Sequence, residues 1–242
     1  MLVVIGDSFS DDGIDLLKGD IHGFQAYSNG KVYSDYLSKL WKVETMNFAY
    51  GGAFSGEGNW EFNDSYSGLA WQVDQVHKSL INPESAVVVY QSGGMNDLFI
   101  SGINTTEVMV NNFENCRKLL EWGFERLIII DLPDSSKFPY FQHRIEEKRR
   151  MRELTNRANE QLGPIVLGPL QQIFPKAEIT LINIQPVIDE IFTTFPNNTT
   201  PFIWQSGLKP EERFSYAFFD TDHFNSGPHL LIAKYISEKI DN

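Results

Sequence analysis

The chain has 242 residues, of which 42% are apolar and 21% charged; this is typical of a folded protein and excludes a disordered or fibrous chain. Its net charge of −12 disfavours nucleic acid and anionic membrane surfaces as partners, because both would repel it. Cys116 is the only cysteine, which excludes an intrachain disulfide and a thiolate metal site.

The cellular compartment stays open between two alternatives. The first apolar run is short and has no basic leader, which does not fit a secretory signal peptide, and no segment approaches the length of a membrane span. We expect a cytoplasmic protein, or a secreted one whose leader lies outside this sequence, without stable membrane insertion. Four Asn-x-Ser/Thr triplets would be glycosylated only in a eukaryotic secretory setting; they begin at Asn63, Asn104, Asn197 and Asn198.

Short apolar runs alternate with helical patterns along the whole chain. Five runs predict strands: 2–5, 45–49, 86–91, 126–131 and 178–183. Three sets of apolar residues share a helical face: Leu69, Val73, Val76 and Leu80; Met109, Phe113, Cys116 and Leu120; Leu230, Ala233, Ile236 and Ile240. This alternation predicts one α/β domain over residues 1–242, with a five-stranded parallel sheet between two layers of helices.

Three segments interrupt this pattern. Residues 143–162 are rich in both charges and predict a solvated helix, which Gly163-Pro164 breaks or kinks. Residues 54–68 and 195–217 predict long loops, of the kind that often carry function, and the pattern leaves open whether they form a lid or a pocket wall. Four aromatic residues there could line an apolar pocket, stack on sugar rings or simply pack: Trp60, Phe62, Phe202 and Trp204.

The first predicted strand ends in a small polar turn that contains Ser8. Ligands of open α/β sheets bind beyond the carboxyl ends of the strands, so Ser8 is expected where a reacting group would lie. A serine hydroxyl is a weak nucleophile until a base takes its proton. The base is most often a histidine that is itself held by an acceptor.

Among the five histidines, His223 fits the role of base best. It precedes the last predicted helix, and Asp220, three residues earlier in the same turn, can fold back onto the imidazole, whereas Asp222 points elsewhere. An isolated Asp-x-x-His pattern is more often an ordinary capped turn, so this pair alone defines no site. We expect His77 and His143 at the surface and His22 in a loop.

Two further strand ends offer donors for a developing oxyanion. Gly52 ends the segment Asn47–Gly52, where two glycines let the backbone approach a ligand closely. Asn96 lies in Gln91–Asp97 and supplies a side-chain amide. Because the carboxyl ends of neighbouring parallel strands share one edge of the sheet, we expect these residues to lie around Ser8.

Together these segments resemble the GDSL-type serine esterases and lipases of the SGNH hydrolase superfamily. The motifs that carry the resemblance are Gly6–Asp11, Asn47–Ala53, Gly94–Asp97 and Asp220–His223. Three further segments resemble the lipase-like branch: Ser28–Val32, Gln72–Val73 and Asp131–Asp134. The chain departs from the family pattern at Phe9, where leucine is usual, and at Phe224-Asn225, where Pro-Thr is frequent. Positions 224 and 225 shape the turn after the histidine rather than the chemistry.

The resemblance implies a flavodoxin-like three-layer sandwich and a carboxylic ester hydrolase that uses no cofactor and no metal. It assigns Ser8 as nucleophile, His223 as general base and Asp220 as the residue that orients it. It assigns the oxyanion hole to the backbone N–H groups of Ser8 and Gly52 and the side-chain amide of Asn96. The substrate would be an ester of a small molecule, a lipid or an acylated carbohydrate.

Two further expectations concern the turn around Ser8. Ser8 is expected at the start of a helix, where the helix dipole would favour negative charge. Asp7 and Asp11, which flank it, are expected to be turn and cap residues rather than catalysts.

Several alternatives stay open at this point. A carbohydrate O-acetylesterase could use the same scaffold, since a fold does not choose a substrate. A metal-dependent hydrolase could gather Asp220, Asp222 and His223 with Asp131 or Asp134. A catalytically silent binding protein is a third class. An α/β-hydrolase is disfavoured because its Gly-x-Ser-x-Gly pattern is absent from the sequence. The oligomeric state is not indicated.

Overall fold

The structure, a computed structural model, describes residues 1–15, 20–21, 27–60, 66–79, 81–100, 102–207 and 209–241. Its strands are β1 Leu2–Ile5, β2 Ile14–Asp15, β3 Asp20–Ile21, β4 Thr45–Asn47, β5 Val87–Gln91, β6 Arg126–Ile130 and β7 Glu178–Ile182. Its α-helices are α1 Tyr33–Trp41, α2 Leu69–Lys78, α3 Met95–Leu98, α4 Thr105–Glu121, α5 Ile145–Gln161, α6 Gly168–Ile173, α7 Gln185–Thr194 and α8 Ser226–Ile240. None of the described helices combines the length and apolarity that a membrane crossing requires.

Five strands form one parallel sheet in the order β4-β1-β5-β6-β7, which confirms the predicted α/β class. All five predicted runs contain a strand of this sheet. β1 lies between β4 and β5, with Val4 beside Asn47 on one side and Val89 on the other. The chain therefore leaves β1 towards one edge and returns on its other side. A strand order that reverses in this way opens a crevice at the carboxyl ends, where ligands of such sheets bind.

The sheet is buried on both faces by helices, which makes three layers. Successive side chains of a strand point to opposite faces, so Val3 and Ile5 join one apolar core while Leu2 and Val4 join the other. The first core packs against α2, α4, α5 and α6, and the second against α1, α7 and α8. Inner strands that are buried on both sides are apolar along nearly their whole length, as β1, β5 and β6 are, and this made their runs recognisable in the sequence.

The helix break predicted at Gly163-Pro164 does not occur. α5 continues directly into a π-helical segment, Leu162–Leu167, and then into α6. Leu162 and Val166 of that segment are buried in the first core. Proline lacks an N–H and clashes with the preceding turn of a regular helix. A π-helical segment re-spaces the hydrogen bonds here, and the burial of its apolar side chains keeps the chain helical.

Both predicted irregular segments are built of short turns where the structure describes them. An antiparallel bridge joins Ala53 to Asn59, and the N–H of Trp60 donates to the Gly52 carbonyl, so the first loop folds back on the end of β4. Residues 61–65, with Phe62 and the Asn63 triplet, lie outside the described residues. The second segment contains two 3₁₀ turns, Phe202–Trp204 and Pro210–Ser215. The antiparallel pair of β2 and β3 is an element that the sequence pattern did not indicate.

Candidate active site

Ser8 lies in a tight turn directly after β1. The N–H groups of Ser10 and Asp11 both donate to the carbonyl of Asp7, and this single turn does not continue into a helix. The expectation that Ser8 starts a helix is therefore wrong. The physical reason is that the side chains of Asp7 and Asp11 satisfy the N–H groups of Phe9 and Gly13, which closes local turns instead.

Buried amides hold this turn from below. Gln72 of α2 accepts a hydrogen bond from the N–H of Gly6 at 3.0 Å and donates to the Gly6 carbonyl at 2.9 Å, so it pairs with both polar groups of one residue. Gln91, at the end of β5, donates to Asp7 at 2.7 Å. Burial raises the pKa of Asp7, and the hydrogen bonds from Phe9 and Gln91 oppose that rise. The backbone next to Ser8 is thus fixed by bonds that water does not reach.

A chain of hydrogen bonds runs from Ser8 to Asp220 through His223. The Ser8 Oγ and the His223 Nε2 lie 2.9 Å apart. The His223 Nδ1 lies 2.8 Å from each carboxylate oxygen of Asp220. A carboxylate can only accept, so Nδ1 carries the proton and Nε2 is left to accept the hydroxyl hydrogen of Ser8. An imidazole held in this tautomer can take a proton from the serine.

Asp220 is ionised at neutral pH even though it is largely buried. Burial alone would raise its pKa, but the hydrogen bond and the charge of His223, with the backbone N–H groups of Asp222 and His223, bring the pKa below its usual value. Asp222 turns away, as predicted, and accepts a hydrogen bond from the Thr221 hydroxyl at 2.7 Å. Burial raises the pKa of Asp222.

Gly52 and Asn96 flank the serine from the two neighbouring strands. Gly52 has φ of +76°, and a Cβ there would lie 2.7 Å from the Asn59 Oδ1, so both backbone and space require glycine. Among the described residues, no group accepts a hydrogen bond from the N–H of Ser8 or of Gly52. Asn96 donates one amide hydrogen to the Ala53 carbonyl at 2.9 Å, which leaves its second hydrogen for a ligand.

A buried carboxylate holds the Gly52 side of the site to the Asn96 side. Asp97 accepts hydrogen bonds from the backbone N–H of Ser55 at 2.9 Å and from its hydroxyl at 2.8 Å. Burial raises the pKa of Asp97, and the two bonds from Ser55 oppose the rise. The loop after β4 is thereby fixed to the short helix α3 that carries Asn96, so these two donors keep a constant separation.

These side chains open into a pocket of about 330 Å³. The predicted Ser8, Gly52, Asn96 and His223 all line it, and Asp220 lies behind the imidazole. The other lining residues include two polar side chains, Ser135 and Asp222, and six apolar ones: Tyr27, Trp60, Met95, Phe99, Phe138 and Tyr140.

Most of that apolar wall was not identified from the sequence. Phe138 and Tyr140 follow the Asp131–Asp134 motif at the carboxyl end of β6, so the rule that loops at this edge bind ligands could have found them. Tyr27 precedes β4 in the chain and carried no such signal. Of the four aromatic residues proposed for a pocket, Trp60 lines it and Phe202 packs against Tyr216 instead. Phe62 lies outside the described residues, and so does the side chain of Trp204.

The alternative metal cluster is not assembled. No group of three or more histidine, cysteine, aspartate or glutamate side chains comes together in a metal-binding arrangement among the residues that the structure describes. Both oxygens of Asp220 face the imidazole, and Asp131 accepts the N–H of Ile184 at 2.9 Å. Asp134 caps the 3₁₀ turn Ser135–Lys137.

The remaining histidines divide between surface and core. His77 and His143 are exposed, as predicted, and His22 lies outside the described residues. His229, in α8, is fully buried among aromatic rings, and burial followed by the nearby charge of His223 lowers its pKa to about 3. It takes no part in the hydrogen-bonded chain.

A serine, a histidine and an aspartate joined at the rim of a doubly wound sheet are typical of hydrolases that form an acyl-enzyme. The sequence comparison agrees with this class: a family model described as GDSL-like lipase/acylhydrolase matches residues 2–236. The chain belongs to this family.

Curated relatives are distant in sequence. The chain is 23% identical to the thermolabile hemolysin of Vibrio parahaemolyticus, over 100% of this chain and 64% of that protein. It is also 23% identical to the secreted effector protein SseJ of Salmonella typhimurium, over 63% of this chain and 39% of that protein. The chain thus spans less than two thirds of the length of either relative.

Solved structures share the fold at low identity. A lipolytic protein of the G-D-S-L family from Veillonella parvula is 14% identical with a TM-score of 0.60, covering 100% of this chain and 98% of that one. Axe2, an acetylxylan esterase from Geobacillus stearothermophilus, is 13% identical with a TM-score of 0.57, covering 100% of this chain and 94% of that one. Est24, a carbohydrate acetylesterase from Sinorhizobium meliloti, is 11% identical with a TM-score of 0.53, covering 99% and 97%.

Proposed function

We propose that this protein hydrolyses carboxylic esters with an apolar acyl chain through an acyl-enzyme on Ser8. One observation carries the proposal. An unbroken hydrogen-bonded chain, Ser8 to His223 to Asp220, ends at a pocket whose rim also holds the backbone of Gly52 and the amide of Asn96. A nucleophile, a base, an orienting carboxylate and oxyanion donors are the complete set that acyl transfer needs.

Acylation begins when the Ser8 Oγ attacks the ester carbonyl carbon and its proton passes to the Nε2 of His223. The Nδ1 hydrogen of the imidazole stays on the nitrogen and donates to Asp220, whose negative charge stabilises the imidazolium. The low pKa of Asp220 supports this role, because the group stays charged at neutral pH. The Ser8–His223 distance of 2.9 Å is short enough for direct transfer.

The carbonyl oxygen becomes negative in the tetrahedral intermediate and needs donors that already point at it. We assign this role to the N–H groups of Ser8 and Gly52 and to the second amide hydrogen of Asn96. Donors held in place beforehand need no reorganisation during the reaction. Removing one of them typically costs ~3 kcal/mol of transition-state stabilisation. The bond from Asn96 to the Ala53 carbonyl supports this orientation of the amide.

Collapse of the intermediate expels the alcohol, which takes the proton from the Nε2 of His223. A water molecule then enters, and His223 takes one of its protons as the water attacks the acyl carbon. The second tetrahedral intermediate releases the acid and returns the proton to Ser8. The same imidazole therefore serves as base and acid in both halves of the reaction.

The aromatic wall of the pocket supports an apolar acyl group. Phe99, Phe138 and Tyr140 line the pocket, and Met95 adds a flexible apolar side chain. Each methylene that leaves water contributes about 0.8 kcal/mol, close to a fourfold change in kcat/KM. In a series of p-nitrophenyl esters we expect kcat/KM to rise with acyl length until the 330 Å³ are filled, and then to fall.

A carbohydrate acetylesterase is the second candidate on the same residues. Two of the solved structures that resemble this chain are named as acetylesterases of xylan or carbohydrate, and Trp60 is 59% exposed at the pocket, where its ring can stack on a sugar. The acyl series is therefore run beside acetylated xylan. A higher kcat/KM on acetylated xylan than on every longer acyl ester would replace the first candidate by the second.

The serine mechanism itself is tested with Ser8→Ala, and Ser206→Ala, a change at an exposed serine, serves as the matched control. We expect Ser8→Ala to lose at least about 10⁴-fold in kcat on a p-nitrophenyl ester while its unfolding transition stays within a few degrees of wild type. A serine-directed phosphonate should label the wild type and Ser206→Ala but not Ser8→Ala. Full activity of Ser8→Ala would refute the proposal.

A further inference from the structure

We propose that Tyr27 is a positioning residue for His223 and that Gly51 is a glycine in order to leave room for it. The ring of Tyr27 lies over the imidazole of His223, with centroids 4.6 Å apart and planes inclined by 32°. Tyr27 also lines the pocket next to the catalytic serine. The inference rests on the proposed function, because it gives Tyr27 a task only if His223 is the base.

The hydrogen bonds of His223 act at its ring nitrogens, and the Tyr27 ring acts on its face. Asp220 holds Nδ1, and Ser8 meets Nε2 only until the serine is acylated. In the acyl-enzyme the imidazole keeps one of these two bonds, while it must still receive a water. The aromatic ring against its face resists tilting throughout the cycle. It also favours the imidazolium, since a cation within about 6 Å of an aromatic centroid is attracted to the ring face.

The position of the Tyr27 ring is in turn set by Gly51. A Cβ at Gly51 would lie 2.6 Å from the Cζ and 2.7 Å from the hydroxyl oxygen of Tyr27. The Gly51 backbone cannot retreat easily, because its N–H donates to Asp11 at 2.6 Å and its carbonyl accepts from Asn59 at 2.7 Å. Any side chain at position 51 would therefore push the tyrosine ring rather than move the backbone.

This arrangement joins the base to the oxyanion side of the pocket. Tyr27 touches the imidazole with its ring and packs its phenol end on the residue that precedes Gly52. A group placed there can keep the distance between the base and the oxyanion donors constant. That distance sets how well both act on the same tetrahedral centre.

The experiment compares four variants: Tyr27→Phe, Tyr27→Leu, Gly51→Ala and the double variant Tyr27→Leu/Gly51→Ala. Rates are measured on p-nitrophenyl acetate, whose short acyl group makes little use of the apolar wall. We expect Tyr27→Phe, which keeps the ring, to stay within about twofold of the wild-type kcat. Tyr27→Leu should lower kcat about tenfold with little change in KM, equivalent to about 1.4 kcal/mol.

Gly51→Ala should resemble Tyr27→Leu, because it displaces the same ring. In the double variant the smaller leucine leaves room for the new methyl group, so its kcat should be no lower than that of the worse single variant. Gly163→Ala is the control for a glycine-to-alanine change, since a Cβ there meets nothing within 4 Å. Thermal unfolding of every variant checks that the fold is retained.

Nuclear magnetic resonance supplies a readout independent of turnover. Protons above an aromatic face are shielded, so the imidazole signals of His223 should move downfield in Tyr27→Leu and in Gly51→Ala but not in Tyr27→Phe. A wild-type kcat in Tyr27→Leu, or fully additive losses in the double variant, would overturn the inference. When either of these outcomes is found and Ser8→Ala is inactive in the same assay, only the role of Tyr27 is refuted. When Ser8→Ala is active, the proposed function itself is refuted.

Discussion

Buried His229 should make the fold sensitive to mild acid. Its ring packs 5.4 Å from the ring of Phe9 and lies 6.4 Å from that of Tyr33, and its Nδ1 has no hydrogen-bond partner among the described residues. Burial and then the charge of His223 lower its pKa from 6.5 to about 3. The folded protein therefore holds His229 neutral at pH values where the unfolded chain would protonate it.

The direction and size of the effect follow from these two pKa values. The pKa of His229 is lower in the folded protein than in the unfolded chain. The part of the unfolding free energy that depends on neutral His229 is therefore fully present above pH 6.5 and is lost as the pH falls from 6.5 towards 3. At pH 5 the solution is about 1.5 pH units below the pKa of His229 in the unfolded chain, and each unit favours the protonated, unfolded chain by about 1.4 kcal/mol. His229 alone thus removes about 2 kcal/mol of unfolding free energy between about pH 7.5 and pH 5.

The test replaces the imidazole with a ring of similar shape that does not titrate, in His229→Phe. Urea unfolding is followed by tryptophan fluorescence at both pH values, for the variant and the wild type. Other buried groups shift with pH as well; Asp131, for example, has its pKa raised to about 7 by burial. Only the difference between the two proteins therefore isolates His229. We expect His229→Phe to lose about 2 kcal/mol less than wild type on acidification.

His143→Gln, a change at an exposed histidine, is the control and should lose the same unfolding free energy as wild type between the two pH values. If His229→Phe and wild type lose the same free energy between the two pH values, the imidazole is not held neutral by its surroundings and the reasoning is refuted. If His229→Phe is simply less stable at both values, the comparison still holds, because the prediction concerns the pH-dependent part alone.

Three further predictions concern the site and its support. Asp220→Asn should lower kcat by roughly 10³–10⁴-fold because it disturbs the imidazole tautomer, whereas Asp222→Asn next to it should lose less than about fivefold; steady-state kinetics on one ester compares them. Asn96→Ala should lower kcat by about 10²–10³-fold with little change in KM. A change confined to KM in Asn96→Ala would count against its role as an oxyanion donor. An equal loss of kcat in Asp220→Asn and Asp222→Asn would count against the role of Asp220. Gln72→Ala should lower the unfolding free energy by about 2 to 4 kcal/mol because it leaves buried backbone groups unpaired, while Gln75→Ala, which loses one long hydrogen bond, should lose less than half of that in urea unfolding.

The strands and the polar residues at their ends were readable from the sequence for a physical reason. A parallel sheet buried on both sides demands continuous apolar runs, and the change to small polar residues marks each carboxyl end. Ser8, Gly52 and Asn96 follow three runs that the structure places side by side. Their proximity required only the neighbour relation of the strands.

Features that depend on tertiary contacts were not readable. The helix expected at Ser8 is absent because Asp7 and Asp11 close turns with their own side chains, a competition that apolar periodicity does not report. Tyr27 reaches His223 across 196 residues of sequence, and no pattern near either residue announces that contact. The π-helical segment after α5 likewise depends on what buries Leu162.

The separation of Ser8 and His223 in the chain has a consequence for biosynthesis. The two residues are 215 positions apart, with the serine after the first strand and the histidine just before α8. A nascent chain can form all five strands of the sheet and most of the pocket before position 223 has left the ribosome. Until then the serine has no base, so under the proposed mechanism ester hydrolysis begins only when the segment that carries His223 has been made and docked. Appearance of activity would therefore report that this segment has reached the sheet.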